Sequence, residues 1–350
     1  MVQNIQKQLP DLFNLVPLKV MEPAAVPDVG ITGLAIDSRQ VKPGDLFFAL
    51  AGGNVDGHTY IPAAIAKGAA LVIGSRSPHE LDSTIAYIQV ADTRQALAHL
   101  AAAFYDFPAR DLTVIGVTGT DGKTTTCNLI HRILQTSGFK AGIISTVNAV
   151  IGDELIDTGF HVTTPEAHEI QHYLYMMKAA GLTHVVLEAT SHGLAQERVT
   201  ACEFDIGVVT NITHEHLDYH GSYQNYRAAK ARLFQHLMLT PDKPTGNPRL
   251  AILNLDDSSY DFLDQFIKIN SIVVSKKKMK IGETSSRCLF GSPWPFSGSG
   301  SEPVQAFSFS TGSNLLLPSG GGKTPRSGSS MRTSPGSWRP GRRRSAPSAR

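Results

Sequence analysis

Apolar and polar positions alternate along residues 1–107 in the way that is typical of a small α/β domain. Strands are predicted at DLFFAL, residues 45–50, and at ALVIG, residues 70–74. Helices are predicted at IPAAIAKGA, residues 61–69, and at QALAHLAAAFY, residues 95–105. Phe107 and Pro108 resemble a linker, so the pattern predicts an N-terminal α/β domain over residues 1–107.

A longer alternation of strands and helices begins at Leu112. Apolar, β-branched runs predict strands over residues 112–119, 140–146, 184–190, 204–212 and 250–256. Amphipathic runs predict helices over residues 123–138, 166–181 and 223–238. Continuous apolar strands between helices are typical of a parallel sheet covered on both faces. We therefore expect residues 108–275 to form a doubly wound, P-loop ATPase-like central domain whose sheet is incomplete.

The periodic pattern ends after Ser275. Residues 291–350 contain 15 Ser, 10 Gly, 8 Pro and 7 Arg without a helical period, so they cannot bury enough apolar surface to offset the entropy of ordering them. Two interpretations of the basic, low-complexity segment 276–350 are open: a natural disordered tail, or translation in a shifted reading frame. We favour the shifted frame because the change is abrupt and interrupts a sheet.

Composition and charge agree with a folded chain followed by a tail of different character. The 350 residues are 41% hydrophobic, and the net charge of +2 combines −9 over residues 1–275 with +11 over residues 276–350. The basic tail lacks interleaved aromatic residues, so it does not indicate nucleic-acid or membrane binding. No stretch approaches the roughly 18 apolar residues of a membrane span, and no secretory leader is recognisable, so we expect a cytoplasmic protein.

The strongest chemical signal is the segment IGVTGTDGKTTT, residues 115–126, between a predicted strand and a predicted helix. Gly119 and Gly122 allow a tight turn whose amides converge, and the start of the following helix adds positive potential. Lys123 is placed to contact terminal phosphates, and Thr124 offers a hydroxyl to Mg²⁺. Val117 stands where the usual P-loop pattern has its first glycine. The segment nevertheless predicts a nucleotide phosphate site.

Further ionisable residues follow the next strands of the predicted sheet. Glu188 ends one strand, at the sheet edge where open α/β sheets bind ligands. The run NITHEHLDYH, residues 211–220, follows another strand and carries three histidines and an aspartate, which favours metal or phosphate chemistry. Lys230 lies within a predicted helix, where a solvated lysine is the ordinary interpretation.

The motifs TGTDGKTTT, EATSHGLAQERV and NITHEHLDYHGSYQNYRAAKARLF together resemble the Mur ligase family. The segment GLAIDSRQVKPGDLFFALAGGNVDGHTYIPAAIAKGA resembles the UDP-binding domain of the member that extends UDP-N-acetylmuramoyl-L-alanyl-D-glutamate in peptidoglycan synthesis. The resemblance covers about residues 28–275. It implies a monomeric, ATP-dependent ligase that forms a carbon–nitrogen bond to an amino acid, diaminopimelate or lysine, through an acyl phosphate.

The resemblance also implies roles for individual residues. The ATP-binding residues would be Gly119, Thr120, Asp121, Gly122, Lys123, Thr124 and Thr125. Thr124 and Glu188 would hold one Mg²⁺, and His216 and a carbamylated Lys230 a second, so that Lys123, Glu188, His216 and Lys230 form the catalytic set. The substrate-binding residues would be Ile36, Ser38, Thr163, Thr164, Thr190, Gln196 and Arg198. Residues 53–55 would form a loop on the diphosphate side.

The family's C-terminal amino-acid-binding domain has no counterpart in the sequence. We therefore expect the chain as written to be inactive or unfolded as a ligase, because a partial central sheet leaves apolar faces and an unpaired edge exposed. Two alternatives remain open: a non-enzymatic nucleotide-binding remnant, and a ligase like folylpolyglutamate synthase. The latter shares the phosphate loop and the lysine but lacks the DSRQVKPGDLFFALAGGNVDGH segment.

Overall fold

A computed structural model describes residues 5–23, 25–52, 55–77, 86–145, 148–152, 154–157, 164–244, 246 and 249–275. The interpretation of residues 276–350 concerns a segment outside these ranges. Within the described ranges, two sheets are flanked by helices, and the predicted α/β class is confirmed. No helix among these residues is long and apolar enough to cross a membrane.

The first sheet is built from short strands in the order β2-β7-β6-β5-β4. Its members are β2 (Val20–Glu22), β4 (Gly33–Ala35), β5 (Asp45–Ala49), β6 (Leu71–Gly74) and β7 (Tyr87–Val90). The strands β4 to β7 are parallel, and β2 pairs antiparallel at the edge. A separate ladder joins β1 (Lys7–Gln8) to β3 (Gly30–Ile31). The accompanying helices are α1 (Leu9–Asn14), α2 (Ile61–Ala66) and α3 (Thr93–Phe104).

The second sheet has the order β11-β10-β9-β12-β8-β13-β14-β15. Its parallel strands are β8 (Thr113–Thr118), β9 (Ala141–Ile144), β12 (His184–Glu188), β13 (Ile206–Val209), β14 (Leu250–Asn254) and β15 (Asn270–Val274). An antiparallel hairpin of β10 (Asn148–Ile151) and β11 (Glu154–Asp157) extends one side. The strand order changes direction around β8, and ligands bind outside the carboxyl ends of strands at such a point.

Six helices accompany the second sheet in the described ranges. They are α4 (Lys123–Thr136), α5 (Ala167–Ala179), α6 (Ser191–Ala195), α7 (Leu217–His220), α8 (Tyr223–Leu239) and α9 (Tyr260–Asp264). A glycine in β8 permits α8 to pack closely, since a Cβ on Gly116 would lie 2.6 Å from Leu233 Cδ1 and 2.7 Å from Phe204 Cε1. Close packing of α8 on β8 brings the middle of this helix to the loop that follows β8.

Candidate functional site

The loop after β8 has the backbone of a phosphate loop. Gly119 has a φ of 148° and Gly122 a φ of 76°, and α4 begins immediately afterwards at Lys123. A Cβ on Gly122 would meet no atom within 4 Å, so space is open at the positive end of α4. Lys123 Nζ donates to the carbonyl of Thr120 at 2.7 Å, inside the turn. The predicted phosphate loop therefore has the helix terminus and the lysine that an anionic ligand needs.

The segment after β13 holds this loop in place. The backbone N–H of Thr120 donates to the carbonyl of Asn211 at 2.7 Å, and that of Asp121 to Asn211 Oδ1 at 3.0 Å. Thr210 Oγ1 donates to the carbonyl of Asp121 at 2.7 Å. Thr210 and Asn211, which follow β13, thus fix the loop that follows the adjacent strand β8.

Thr124 and Glu188 meet beside the loop. Thr124 Oγ1 lies 3.1 Å from Glu188 Oε1 and 3.0 Å from Oε2. Glu188 is buried because it ends the central strand β12, whereas Thr124 lies in the first turn of α4. A carboxylate and a hydroxyl present the hard oxygen atoms that Mg²⁺ prefers. The chemistry of these donors fits the predicted ion.

Lys230 is a buried lysine, 1% exposed, in the middle of α8. Its Nζ donates to the carbonyl of Gly119 at 2.5 Å and lies 4.5 Å from the centroid of the Tyr226 ring. Burial lowers the pKa of Lys230 to about 7, and the nearby Lys123 ammonium acts in the same direction. A large fraction of this amine is therefore neutral and nucleophilic near neutral pH.

His216 lies at the start of α7 with a left-handed φ of 53°. Its ring is 5.0 Å from that of His192 and 6.2 Å from that of Tyr226, measured between centroids. Since Lys230 also lies against Tyr226, the two residues predicted to share a metal flank the same phenol ring. Burial lowers the pKa of His220 to about 4, which keeps this neighbouring ring neutral. In the described ranges, no group of three or more His, Cys, Asp or Glu side chains is arranged to hold a metal ion.

A second cluster of predicted residues lies beyond the end of β12. Thr164 Oγ1 is 2.9 Å from Thr190 Oγ1. Arg198 donates from Nη1 to the carbonyl of Thr164 at 2.6 Å and from Nη2 to Gln196 Oε1 at 2.7 Å. Arg198 also pairs with Glu166 at 2.9 Å. Four of the seven predicted substrate residues therefore form one hydrogen-bonded group.

The other predicted substrate residues belong to the N-terminal part of the chain or lie outside the described ranges. Ser38 is buried and Ile36 is partly buried, and both follow β4. Thr163, Gly53 and Asn54 fall outside the described residues, so their predicted roles stay predictions.

Several residues of the site were not singled out by sequence reasoning. Asn211 and Thr210 hydrogen-bond to the backbone of the loop. The sequence pattern gives Tyr219 no partner, yet its OH accepts a hydrogen bond from Gln196 Nε2 at 3.0 Å. Tyr226 looks like a core aromatic residue in an amphipathic helix. Its spacing of four residues from Lys230 was the available signal, because residues four apart share a helix face.

Comparison with known proteins identifies the family of the chain. The profile of the Mur ligase middle domain matches residues 117–287, and that of the Mur ligase family, catalytic domain, matches residues 30–105. Together they cover most strands of both sheets, and the chain belongs to the Mur ligase family.

Named relatives agree. The chain is 43% identical over 250 residues to the UDP-N-acetylmuramyl-tripeptide synthetase of Roseiflexus sp., a match that covers 69% of this chain and 49% of that protein. It is 40% identical over 248 residues to the UDP-N-acetylmuramoyl-L-alanyl-D-glutamate--2,6-diaminopimelate ligase of Bacteroides fragilis, covering 71% and 48%. A solved structure of a ligase with the latter name superposes with a TM-score of 0.64 at 27% identity, covering 78% of this chain and 53% of that one. The chain spans about half the length of the curated relatives it matches.

Proposed function

We propose that the chain supplies the nucleotide and UDP-peptide sites of an ATP-dependent ligase that adds an amino acid, diaminopimelate or lysine, to UDP-N-acetylmuramoyl-L-alanyl-D-glutamate. The observation that carries the proposal is the meeting of a phosphate loop, the Thr124–Glu188 pair and the buried Lys230 at the switch point of the second sheet. The names of the relatives supply the substrate class.

The reaction has two group transfers. A carboxylate is a poor electrophile, so an oxygen of the substrate carboxylate first attacks the γ-phosphorus of ATP, which forms an acyl phosphate and releases ADP. The amine of the amino acid then attacks the acyl carbon, the C–N bond forms, inorganic phosphate leaves, and the amine loses a proton. Catalysis of such transfers rests on alignment and charge neutralisation.

The loop residues have distinct parts in this scheme. Amides between Gly119 and Thr125, with the N-terminus of α4, would bind the phosphates of ATP, and Lys123 would turn from the Thr120 carbonyl to them. Thr124 and Glu188 would hold one Mg²⁺. His216 and Lys230 would hold another. Mg²⁺ bound there neutralises charge on the transferring phosphoryl group.

Lys230 would act as an oxygen ligand after reacting with CO₂. The neutral amine attacks the carbon of CO₂, an N–C bond forms, and one proton leaves to solvent, which yields an anionic carbamate. Burial supports this step because it lowers the pKa of Lys230 to about 7. Carbamate oxygens are hard ligands of the kind Mg²⁺ prefers, whereas an ammonium group repels the ion.

The UDP-peptide would lie on the Thr164–Arg198 group, with Thr163 beside it and Ile36 and Ser38 toward the uridine. The hydrogen-bonded partners of Arg198 hold its guanidinium in one orientation. Because the group is already ordered, it can bind a carboxylate without a further loss of side-chain entropy.

Calorimetric titration tests the proposal without requiring the complete ligase. The chain should bind a Mg²⁺ complex of a non-hydrolysable ATP analogue and, independently, UDP-N-acetylmuramoyl-L-alanyl-D-glutamate. Arg198→Met should weaken the second ligand at least about tenfold, because a charge-assisted contact contributes about 1.5–3 kcal/mol, and should leave the first unchanged. Nucleotide binding without binding of the UDP-dipeptide would contradict the substrate assignment and favour a nucleotide-binding remnant. Binding of a folate in its place would favour the folylpolyglutamate-type alternative.

A further inference from the structure

Tyr226 contacts both the phosphate loop and Lys230. Its side chain is fully buried, and its OH lies 3.0 Å from Thr120 Oγ1. The same Thr120 oxygen accepts the backbone N–H of Thr213 at 2.9 Å. A hydroxyl pair therefore joins three elements: the loop after β8, the segment after β13, and α8.

The aromatic ring of Tyr226 lies beside Lys230. The two residues are one helical turn apart on α8, so their side chains share a face. Lys230 Nζ lies 4.5 Å from the centroid of the phenol ring and donates to the carbonyl of Gly119. Gly119 and Thr120 are consecutive in the loop, so one residue contacts Lys230 and the next contacts Tyr226.

We propose that Tyr226 is a positioning residue that couples the phosphate loop to Lys230, so that nucleotide binding and carbamate formation at Lys230 strengthen each other. The coupling rests on the proposed function, since it requires both a nucleotide in the loop and CO₂ at the lysine. A change in the position of Thr120 when phosphates enter the loop is passed through the phenol hydroxyl to the ring that lies against the Lys230 amine. A Mg²⁺-nucleotide in turn favours an anionic oxygen at Lys230 over a cation. By thermodynamic reciprocity, each event changes the affinity for the other by the same factor.

A purely structural role for Tyr226 is the competing explanation, because the ring belongs to the apolar core of the second sheet. The substitution Tyr226→Phe separates the two roles. It retains the ring in the core and against Lys230, and it removes only the OH, which lies 3.0 Å from Thr120 Oγ1 and 3.5 Å from Glu215 Oε2. A structural role predicts a change in stability alone, whereas coupling predicts a change in how one ligand affects the other.

The experiment measures the dissociation constant of the Mg²⁺ complex of a non-hydrolysable ATP analogue in CO₂-free buffer and in bicarbonate buffer. For the unsubstituted chain we expect bicarbonate to tighten binding at least about fivefold, the lower end of usual allosteric coupling. For Tyr226→Phe the factor should fall below about twofold. Carbon-13 NMR with labelled bicarbonate should still show a carbamate signal in the variant without nucleotide, because the amine and its cavity are intact.

Tyr223→Phe is the matched control. Tyr223 lies at the start of the same helix, and its OH donates to the carbonyl of Ile212 at 3.0 Å rather than to Thr120. This variant also loses one hydroxyl contact, in this case a partly buried one, but should keep the full bicarbonate factor. Lys230→Ala should abolish both the carbamate signal and the factor.

The outcomes separate the coupling from the proposed function. If nucleotide binds, the carbamate forms and Tyr226→Phe keeps the bicarbonate factor, the coupling role is overturned and the function stands. If the unsubstituted chain binds nucleotide but bicarbonate changes nothing, coupling is likewise overturned. If it binds no nucleotide, both fail. Should Tyr226→Phe not fold, Thr120→Val breaks the same hydroxyl pair from the other side and must lose the factor for the proposal to survive.

Discussion

Single residues decide whether the phosphate loop can form at all. At Gly119 the φ of 148° is almost confined to glycine, and a Cβ there would lie 1.8 Å from Thr210 Oγ1. We expect Gly119→Ala to lower the free energy of unfolding by about 3 kcal/mol, since backbone strain and overpacking each cost about 1–3 kcal/mol. Urea denaturation measures the loss.

Gly138 provides the matched control for this substitution. It has a left-handed φ of 86°, but a Cβ there would meet no atom within 4 Å. Gly138→Ala should therefore cost only the strain of a left-handed L-residue, about 1 kcal/mol. Equal losses in the two variants would show that the contact with Thr210 does not restrict the loop.

The residues that spacing alone predicted are those that act together and lie close to one another in the sequence. Gly119, Gly122 and Lys123 are close in sequence, so their spacing alone predicts a loop that binds phosphate. Asn211 and Tyr226 were not found in this way, because Asn211 acts across neighbouring strands and Tyr226 acts through the packing of α8 on the sheet. Their roles depend on which strands are neighbours, which the local pattern does not specify.

At the scale of elements, a buried ion pair ties the end of α8 to the beginnings of two central strands. Lys243 Nζ lies 2.6 Å from Asp205 Oδ2 and 3.0 Å from the carbonyl of Leu112. The same Asp205 oxygen accepts the N–H of Val114 in β8 at 2.7 Å. Both side chains are at most 2% exposed, so neither charge can turn to water if its partner is removed.

We expect Lys243→Met to lower the free energy of unfolding by about 3–5 kcal/mol, because it leaves the Asp205 carboxylate buried without its counter-charge. Adding Asp205→Asn should recover part of the loss, since the amide retains an acceptor for Val114 and carries no charge. Chemical denaturation of the single and double variants measures this difference.

Arg249→Met is the control for removing an ion pair of similar length. Arg249 Nη2 lies 2.6 Å from Asp242 Oδ1, but the Asp242 side chain is 99% exposed. An exposed pair contributes at most about 1 kcal/mol. A loss from Lys243→Met as small as this would contradict the importance assigned to burial.

Element prediction succeeded where the hydrophobic period was unmixed and failed where the apolar run was short. The helix with the period YRAAKARLF and the apolar strand HVVLE were both predicted, and they occur as α8 and β12. The β10–β11 hairpin was missed because its residues alternate too briefly to separate from a loop. Strand β15 was missed because its apolar run SIVV is short and precedes the basic segment.

At the scale of the whole molecule, buried histidines should make stability sensitive to acid. Burial lowers the pKa of His236 to about 4, and that of His168, in a different helix, also to about 4. The charged and titratable neighbours of His236 shift its pKa in opposite directions, because Glu197 raises it whereas Arg232 and His99 lower it. His236 Nε2 and His168 Nδ1 are buried and have no hydrogen-bond partner in the described part of the chain.

The direction of the effect follows from proton binding. Above pH 6.5 both rings are neutral in the folded and unfolded states, and their contribution to stability is complete. Between pH 6.5 and pH 4 the unfolded chain binds a proton that the folded chain does not, so the free energy of unfolding falls as pH falls. The loss at pH 4 amounts to roughly 3 kcal/mol for each histidine as an upper value.

We therefore expect His236→Gln and His168→Gln each to flatten the fall in unfolding free energy between pH 6.5 and pH 4, measured by urea denaturation at a series of pH values. His214→Gln removes an exposed ring and should leave the slope unchanged. The comparison isolates burial, because all three variants remove one histidine and add the same amide. If the two buried positions gave the same slope as the unsubstituted chain, the assignment of acid sensitivity to these buried histidines would be contradicted.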